Sequence, residues 1–234
     1  MVKKHIKRLV APKSWPINRK GTKFITRPNS GAHPLERAMP LNLIIKLLLS
    51  YAKKTREVKK ILNAGKILVD NTVRKDYKFA VGLMDVISIP ETNEFFRLIL
   101  NKKGKFILQS LNKEESNIKP CKVIGKTILK KKKIQLNLFD GKNIIIEEDS
   151  YKVGDTVLYD IKDKKIKGLL KFGKGALIYL FGGKYTGTVA TLQDIKSFYG
   201  SQPSMIKLKL KDGSEFETLK DYAFVVNDKM INEQ

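Results

Sequence analysis

The chain has 234 residues, room for one large domain or two to four small modules, and its 42% hydrophobic content is ample for packed cores, which argues against wholesale disorder. Forty-seven Lys and Arg against 23 Asp and Glu leave a net charge of +24, far from the balance of an ordinary soluble enzyme, and point to a polyanionic partner. A single cysteine excludes internal disulfides, Cys-based zinc ribbons and redox pairs, and no stretch approaches the roughly 18–20 apolar residues of a membrane span.

Residues 1–40 carry +9 of the charge and five prolines, at positions 12, 16, 28, 34 and 40, a mixture that breaks helices and interrupts strand ladders. An extended arm that orders only against a partner is predicted. Its cations Lys3, Lys4, Lys7, Arg8, Lys13, Arg19, Lys20, Lys23 and Arg27 are candidate phosphate contacts. They also interrupt any apolar run of the kind a secretory signal needs, so a cytoplasmic chain is expected. Trp15, the only tryptophan, stands between Ser14 and Pro16. The residues leave two roles open for it: stacking on a base among phosphate contacts, or docking on the chain's own globular body. His5 and His33 have no acidic or cysteine company in sequence, so no metal site is expected, and they read as RNA or packing contacts.

Residues 41–90 carry +6. Leu43, Ile44, Leu47 and Leu48 form one apolar stripe after Pro40, with Lys46 and Lys53 off it, which predicts a helix to about Ala52. Thr55 is expected to cap a second helix, with Glu57 in its first turn, Val58, Ile61 and Leu62 on its apolar face and Gly65 at its end. Lys66 to Val73 alternates around Asp70 and Asn71, and Asp85 to Ile89 reads as a strand closed by Pro90.

From Phe95 the period is two. Phe95 to Leu100, Lys105 to Leu111, Cys121 to Leu129, Ile134 to Leu138, Asn143 to Glu147 and Thr156 to Ile161 are predicted strands of an antiparallel β domain carrying +8 over residues 91–172. Cys121 is expected to be buried in its strand. The run Lys130 to Lys133 serves equally as a solvated turn or a phosphate contact. Residues 173–234 are nearly neutral, at +1. They read as a small barrel whose strands include Ala176 to Phe181, Met205 to Leu210 and Ser214 to Thr218, with a hairpin turn at Asp212 and Gly213.

The sequence offers no catalytic constellation. Gly125, Lys126 and Thr127 end like a phosphate-binding loop, but the leading glycine position is Pro120; Gly183 and Lys184 are preceded there by Ile178. A Cys/His or Ser/His pair would have to draw on a histidine of the arm, and Glu147, Glu148 and Asp149 lie at a strand end, where a solvated turn is expected. No cofactor and no small-molecule substrate are expected.

Thr55, Arg56, Glu57, Val58, Lys59, Lys60, Ile61 and Leu62, followed by Gly65 to Asn71, resemble the alpha-L RNA-binding motif, which presents its second helix and the following turn to structured RNA. Asp70 and Asn71 depart from that motif's usual turn. Gly183, Lys184, Tyr185, Thr186, Gly187, Thr188 and Val189 look like the KOW motif, a Gly-centred hairpin of small barrels. The order of a basic arm, an alpha-L module, a β domain and KOW resembles, over essentially the whole chain, the small-subunit ribosomal protein family S-four-e of archaea and eukaryotes. The short C-terminus looks archaeal.

The resemblance implies an α+β, multi-module chain: an extended basic RNA-binding arm over 1–40, an alpha-L module over 41–92, a central antiparallel β domain over 93–172, and a KOW SH3-like β-barrel over 173–234. It implies a structural constituent of the small ribosomal subunit, with small-subunit ribosomal RNA and neighbouring small-subunit ribosomal proteins as partners and no catalysis. In the alpha-L module the expected RNA contacts are Lys54, Thr55, Arg56, Lys59, Lys60, Lys66, Arg74 and Lys75, because a helix start and a neighbouring hairpin together face one RNA groove. Alpha-L modules also occur on RNA-modifying enzymes and KOW hairpins in transcription elongation factors, which are the alternative functions.

Overall fold

The computed structural model describes residues 5–130, 133–147, 149–198, 202–227 and 230. It divides into two compact units, Met1–Leu100 with Lys105–Lys119, and Asn101–Gly104 with Pro120–Gln234. No helix among the described residues is long and apolar enough to cross a membrane.

In the first unit, strands β1 (His5–Lys7) and β2 (Phe24–Thr26) pair antiparallel, and β3 (Ala38–Pro40) leads into a short helix α1 (Leu41–Leu43). α1 widens into a π-helical turn over Ile44–Leu48, where the Leu49 N–H reaches back five residues to the Ile44 carbonyl at 3.0 Å. Ser50, at φ 59°, follows this turn, so the helix expected to reach Ala52 ends about four residues early. Helix α2 covers Thr55–Asn63, with Lys54 rather than Thr55 as the extended capping residue. Its Val58 and Leu62 are fully buried, a pair one turn apart contributing about 1.5–3 kcal/mol each. Gly65 takes φ 73° just beyond its end, as its position after the apolar stripe predicts.

Strands β4 (Leu68–Val69) and β5 (Thr72–Val73) form a hairpin whose two loop residues, Asp70 and Asn71, both have positive φ, 48° and 56°. That is the type I′ geometry matching strand twist, and Asp and Asn tolerate it better than most side chains. Strand β6 (Ala80–Gly82) pairs with β3, while β7 (Val86–Ile89), β8 (Glu94–Leu100) and β9 (Phe106–Ser110) extend the hairpin into one sheet of order β5-β4-β7-β8-β9. Strands β8 and β9, expected to open the central β domain, pair beside β7 instead. The alternation of their residues indicates strand but carries no information about the partner.

The arm is not left extended. Asn29 N–H donates to the Lys78 carbonyl and Phe106 N–H to the Ser14 carbonyl, at 2.9 and 2.8 Å. Trp15 is 0% exposed and its Nε1–H donates to the Ala38 carbonyl at 2.7 Å. Of its two roles, docking on the body holds; with no accessible ring face, Trp15 cannot stack on a base. The described part of the arm is therefore docked within its own unit, through one large aromatic ring and a set of backbone hydrogen bonds.

The second unit holds two five-stranded antiparallel sheets. One contains β10 (Ile118–Ile128, whose first two residues fall in the first unit), β11 (Ile134–Leu138), β12 (Asn143–Ile146), β13 (Thr156–Asp160) and β14 (Ile166–Leu170) in the order β12-β11-β10-β13-β14. Cys121, 1% exposed, packs there with Val123, Leu136, Leu138, Val157 and Tyr159, as its type predicts. The β10–β11 turn carries Lys130 and Lys133; Lys131, Lys132 and Glu148 lie outside the described residues.

The other sheet contains β15 (Leu177–Leu180), β16 (Val189–Lys196), β17 (Met205–Lys209), β18 (Glu215–Leu219) and β19 (Ala223–Val225) in the order β18-β17-β16-β15-β19. Its core is strictly alternating: Ile178 and Leu180, Ala190 and Leu192, Ile206 and Leu208, Ala223 and Val225. Where a small barrel is expected there is a five-stranded sheet, and among the described residues its edge strands β18 and β19 do not pair. The 3₁₀ turn Lys220–Tyr222 carries the chain across to β15, and β19 is too short to show in the sequence.

Replacing Trp15 by Ala removes the first unit's largest buried ring and leaves the Ala38 carbonyl without its donor. The expected result is a loss of about 3–5 kcal/mol in urea unfolding of the full chain, whereas a base-stacking Trp15 would leave stability unchanged.

Candidate nucleic-acid interface

Because α2 turns Val58 and Leu62 inward, Arg56, Lys59 and Lys60 are left exposed, with Lys54 just before them and Thr55 half-buried. The helix's one acid, Glu57, is drawn back onto its own N-terminus. Its carboxylate accepts the Lys54 and Lys53 N–H groups at 3.0 and 2.9 Å, and those two backbone hydrogen bonds hold its carboxyl below the usual range. The outward face is therefore cationic. On the hairpin side Lys66 pairs with Glu91 at 2.9 Å, Lys75 is exposed, and the Arg74 guanidinium lies 4.4 Å over the Phe79 ring.

A cleft of about 620 Å³ opens in this unit where the β1–β2 ribbon faces the helical segment, bringing Arg8 and Lys20 of the arm together with Lys46 and Thr55. Phe24 and Tyr77 add aromatic surface. Lys59 Nζ stands 4.7 Å and Lys78 Nζ 5.5 Å over the Tyr77 ring, and Lys23 Nζ 5.6 Å over Phe24. Arg8, expected as a phosphate contact, uses three donors to close its own loop: Nε to the Thr22 carbonyl, Nη1 to the Asn18 carbonyl and Nη2 to Thr22 Oγ1, at 2.8, 2.7 and 2.9 Å. Asn42 is 2% exposed; its Nδ2 donates to Thr26 Oγ1 at 2.6 Å while its Oδ1 accepts no hydrogen bond.

A buried charge network supports this surface. Lys119, 1% exposed, donates from Nζ to Asp70 Oδ2 at 2.6 Å and to Asp85 Oδ1 at 2.5 Å. His33 Nε2 stands 3.1 Å from Asp85 Oδ2, which also accepts the Gly82 N–H at 2.8 Å. Gly82 is required there, since a Cβ would fall 2.2 Å from the His33 ring. Burial alone would raise the Asp85 carboxyl; the charges of Lys119 and His33, and hydrogen bonds from both, override it and hold the group well below the carboxylate range. Asp70 Oδ1 accepts the Val86 N–H at 3.2 Å, so the network pins the hairpin turn onto β7.

Of the remaining arm residues expected at the interface, Lys7, Lys13, Arg19, Lys20 and Lys23 are exposed and Arg27 half-buried, while Lys3 and Lys4 lie outside the described residues. Gly183, Lys184 and Gly187 belong to the second unit. There the Gly187 N–H donates to the Leu180 carbonyl at 2.7 Å, with Gly183 and Gly187 at φ 81° and 79°. A Cβ on Gly187 would meet the Asn101 carbonyl oxygen at 2.2 Å. Sequence reasoning missed Lys46 and Tyr77 as members of the cleft; each sits close to a stretch already singled out, but only the fold sets them beside the arm.

Three family models match successive stretches: the RS4NT (NUC023) domain over residues 2–36, the S4 domain over 39–87 and Ribosomal family S4e over 92–166. Small ribosomal subunit protein eS4 of Methanocaldococcus jannaschii is 45% identical over 235 residues, covering 97% of this chain and 95% of that protein. The protein of the same description from Methanococcus aeolicus is 44% identical over 237 residues, with the same coverage. The crystal structure of the 30S ribosomal protein S4e from Thermoplasma acidophilum matches with a TM-score of 0.70 at 33% identity, covering 81% of this chain and 95% of that one.

Replacing Lys119 by Met takes its cation from the buried Asp85 and the part-buried Asp70, and the expected cost at pH 7 is about 3–5 kcal/mol. The depressed Asp85 carboxyl stabilises the native chain above the unfolded Asp pKa of about 3.9, and that contribution is lost as pH falls further. Chemical unfolding across pH 2–7 should therefore show a shallower acid loss in the variant than in the native chain.

Proposed function

The chain belongs to the S4e family of small-subunit ribosomal proteins, and from that footing we propose that it binds small-subunit ribosomal RNA through the cationic surface of its first unit, supporting subunit assembly and translation. It is a structural ribosomal protein, not an enzyme. The observation that carries the proposal is the row of exposed S4-domain cations Lys54, Arg56, Lys59 and Lys60 on and before α2, with Thr55 of that helix lining the same cleft as Lys20 of the arm and Lys46.

Thr55, Lys66, Arg74 and Lys75, with Lys7, Lys13, Arg19, Lys23 and Arg27 of the arm, are the further RNA contacts of this reading; Lys3 and Lys4 lie outside the described residues. Each cation that neutralises a phosphate releases condensed counterions, so affinity falls steeply with salt. Arg8 acts by shaping the arm. The glycine hairpin Gly183–Val189 with Lys184 is assigned in this reading to a KOW-type contact, and neighbouring small-subunit ribosomal proteins complete the surroundings of the chain in the ribosome.

Deleting residues 1–40 would remove Trp15 and β3 with the charge, so point substitutions are the cleaner test. Changing Lys54, Arg56, Lys59 and Lys60 together to Gln should flatten the slope of log affinity for small-subunit ribosomal RNA against log salt by about 0.7–0.9 for each phosphate that is no longer neutralised. A slope unchanged by all four substitutions moves the RNA surface elsewhere.

A further inference from the structure

We propose that the cleft between the arm ribbon and the helical segment receives a single unstacked nucleotide of the bound RNA. This rests on the ribosomal-RNA reading above and adds to it the chemical nature of one contact: a base drawn out of a stem, as in a bulge.

The cleft's volume, about 620 Å³, lies within the 300–1,000 Å³ of small-ligand pockets. Its lining contains no Asp or Glu, and its charge comes from Arg8, Lys20 and Lys46. Lys20 and Lys46 alone would suit a phosphate, but a phosphate has no use for the rest of the wall. Phe24 is 47% exposed although it is a large aromatic side chain, and His5 meets its ring edge-on at 4.6 Å between centroids. Tyr77 offers a second ring, over which the flexible ammonium arms of Lys59 and Lys78 stand and from which a base would displace one of them. Aromatic faces framed by cations, with a phosphate-binding rim, are what an unpaired nucleotide requires, and a base still stacked in a duplex cannot reach them.

Asn42 supplies an independent observation. It lines the cleft yet is almost fully buried, and its orientation is fixed from two sides: its backbone N–H donates to the Tyr77 carbonyl at 2.9 Å and its Nδ2 to Thr26 Oγ1. Its Oδ1 is left without a donor. Buried polar groups in native proteins are almost always matched, and Oδ1, itself sealed from solvent, keeps an acceptor position that a side-chain shift would have to open toward the cleft. The group that satisfies Oδ1 is a donor, which an exocyclic base amine or a ribose 2′-hydroxyl provides and a phosphate oxygen does not.

The test uses the full chain and two RNA hairpins of identical stem, one carrying a single bulged 2-aminopurine riboside. The wild-type chain is expected to bind the bulged hairpin about tenfold tighter, the gain of one base–aromatic stack, with the 2-aminopurine emission quenched on binding. Phe24→Ala, at a position too exposed to unfold the unit, is expected to reduce that preference to within about twofold and restore the emission. Tyr77→Leu supplies a second variant with the same expected loss of preference. Equal affinity of the wild-type chain for both hairpins overturns the cleft while leaving general RNA binding intact, as does a preference that survives both substitutions. Displacement of the bulged hairpin by excess free AMP also overturns it, by assigning the cleft to mononucleotides. Failure to bind either hairpin removes the RNA reading and this inference together.

Discussion

An ammonium group closed off from water between two carboxylates is a costly thing for a small protein to keep, and the first unit is organised around one. Lys119 reaches back from the end of the unit to Asp70 in the hairpin turn and to Asp85 at the start of β7, with His33 of the arm on the far side of Asp85. Removing Lys119 would leave the buried Asp85 without its ammonium partner in a medium that solvates charge poorly. The network thus joins segments far apart in sequence, arm, turn, strand and the chain's exit from the unit, and it fixes the tip of the hairpin that flanks α2.

Fixing that tip matters because the surface beside it is assembled from like charges. Arg56, Lys59 and Lys60 repel one another, as do Lys20 and Lys46, and no hydrophobic gain accrues to a cationic patch. The apolar side of the same elements supplies the holding energy: Val58 and Leu62 under α2, Ile44 and Ile45 under the π turn, and Trp15 beneath the arm. Electrostatic strain on the outer face is carried by packing on the inner one, and a polyanion relieves it.

Those parts of the fold that obey short-range rules were legible in the residues. Val58 and Leu62 with Gly65 gave α2, Asp70 and Asn71 gave the hairpin, and Asp212 with Gly213 gave the β17–β18 turn. What escaped depended on distant partners. Nothing around Trp15 announces that Ala38 will accept its hydrogen bond. Lys119 reads as one more lysine in a basic stretch until Asp70 and Asp85 are placed against it. The helical stripe from Leu43 to Leu48 predicts a regular helix, but the hydrogen bond from Leu49 to Ile44 is a tertiary accommodation with no local signal. At the candidate site, the exposed cations of α2 followed from its apolar face; the aromatic members Phe24 and Tyr77 did not, because two segments must meet before either faces a cleft.

The way the arm is fastened has a bearing on biosynthesis. Lys13 and Ser14 are held by Lys105 and Phe106, about ninety residues further along the chain. During translation the N-terminal segment therefore leaves the exit tunnel long before its docking strand exists, and for that interval it is a loose polycation beside the very ribosome that is making it. Only when β9 emerges does the segment acquire a competing protein seat. Elongation thus sets a waiting time between the appearance of these cations and that of the strand that fastens them.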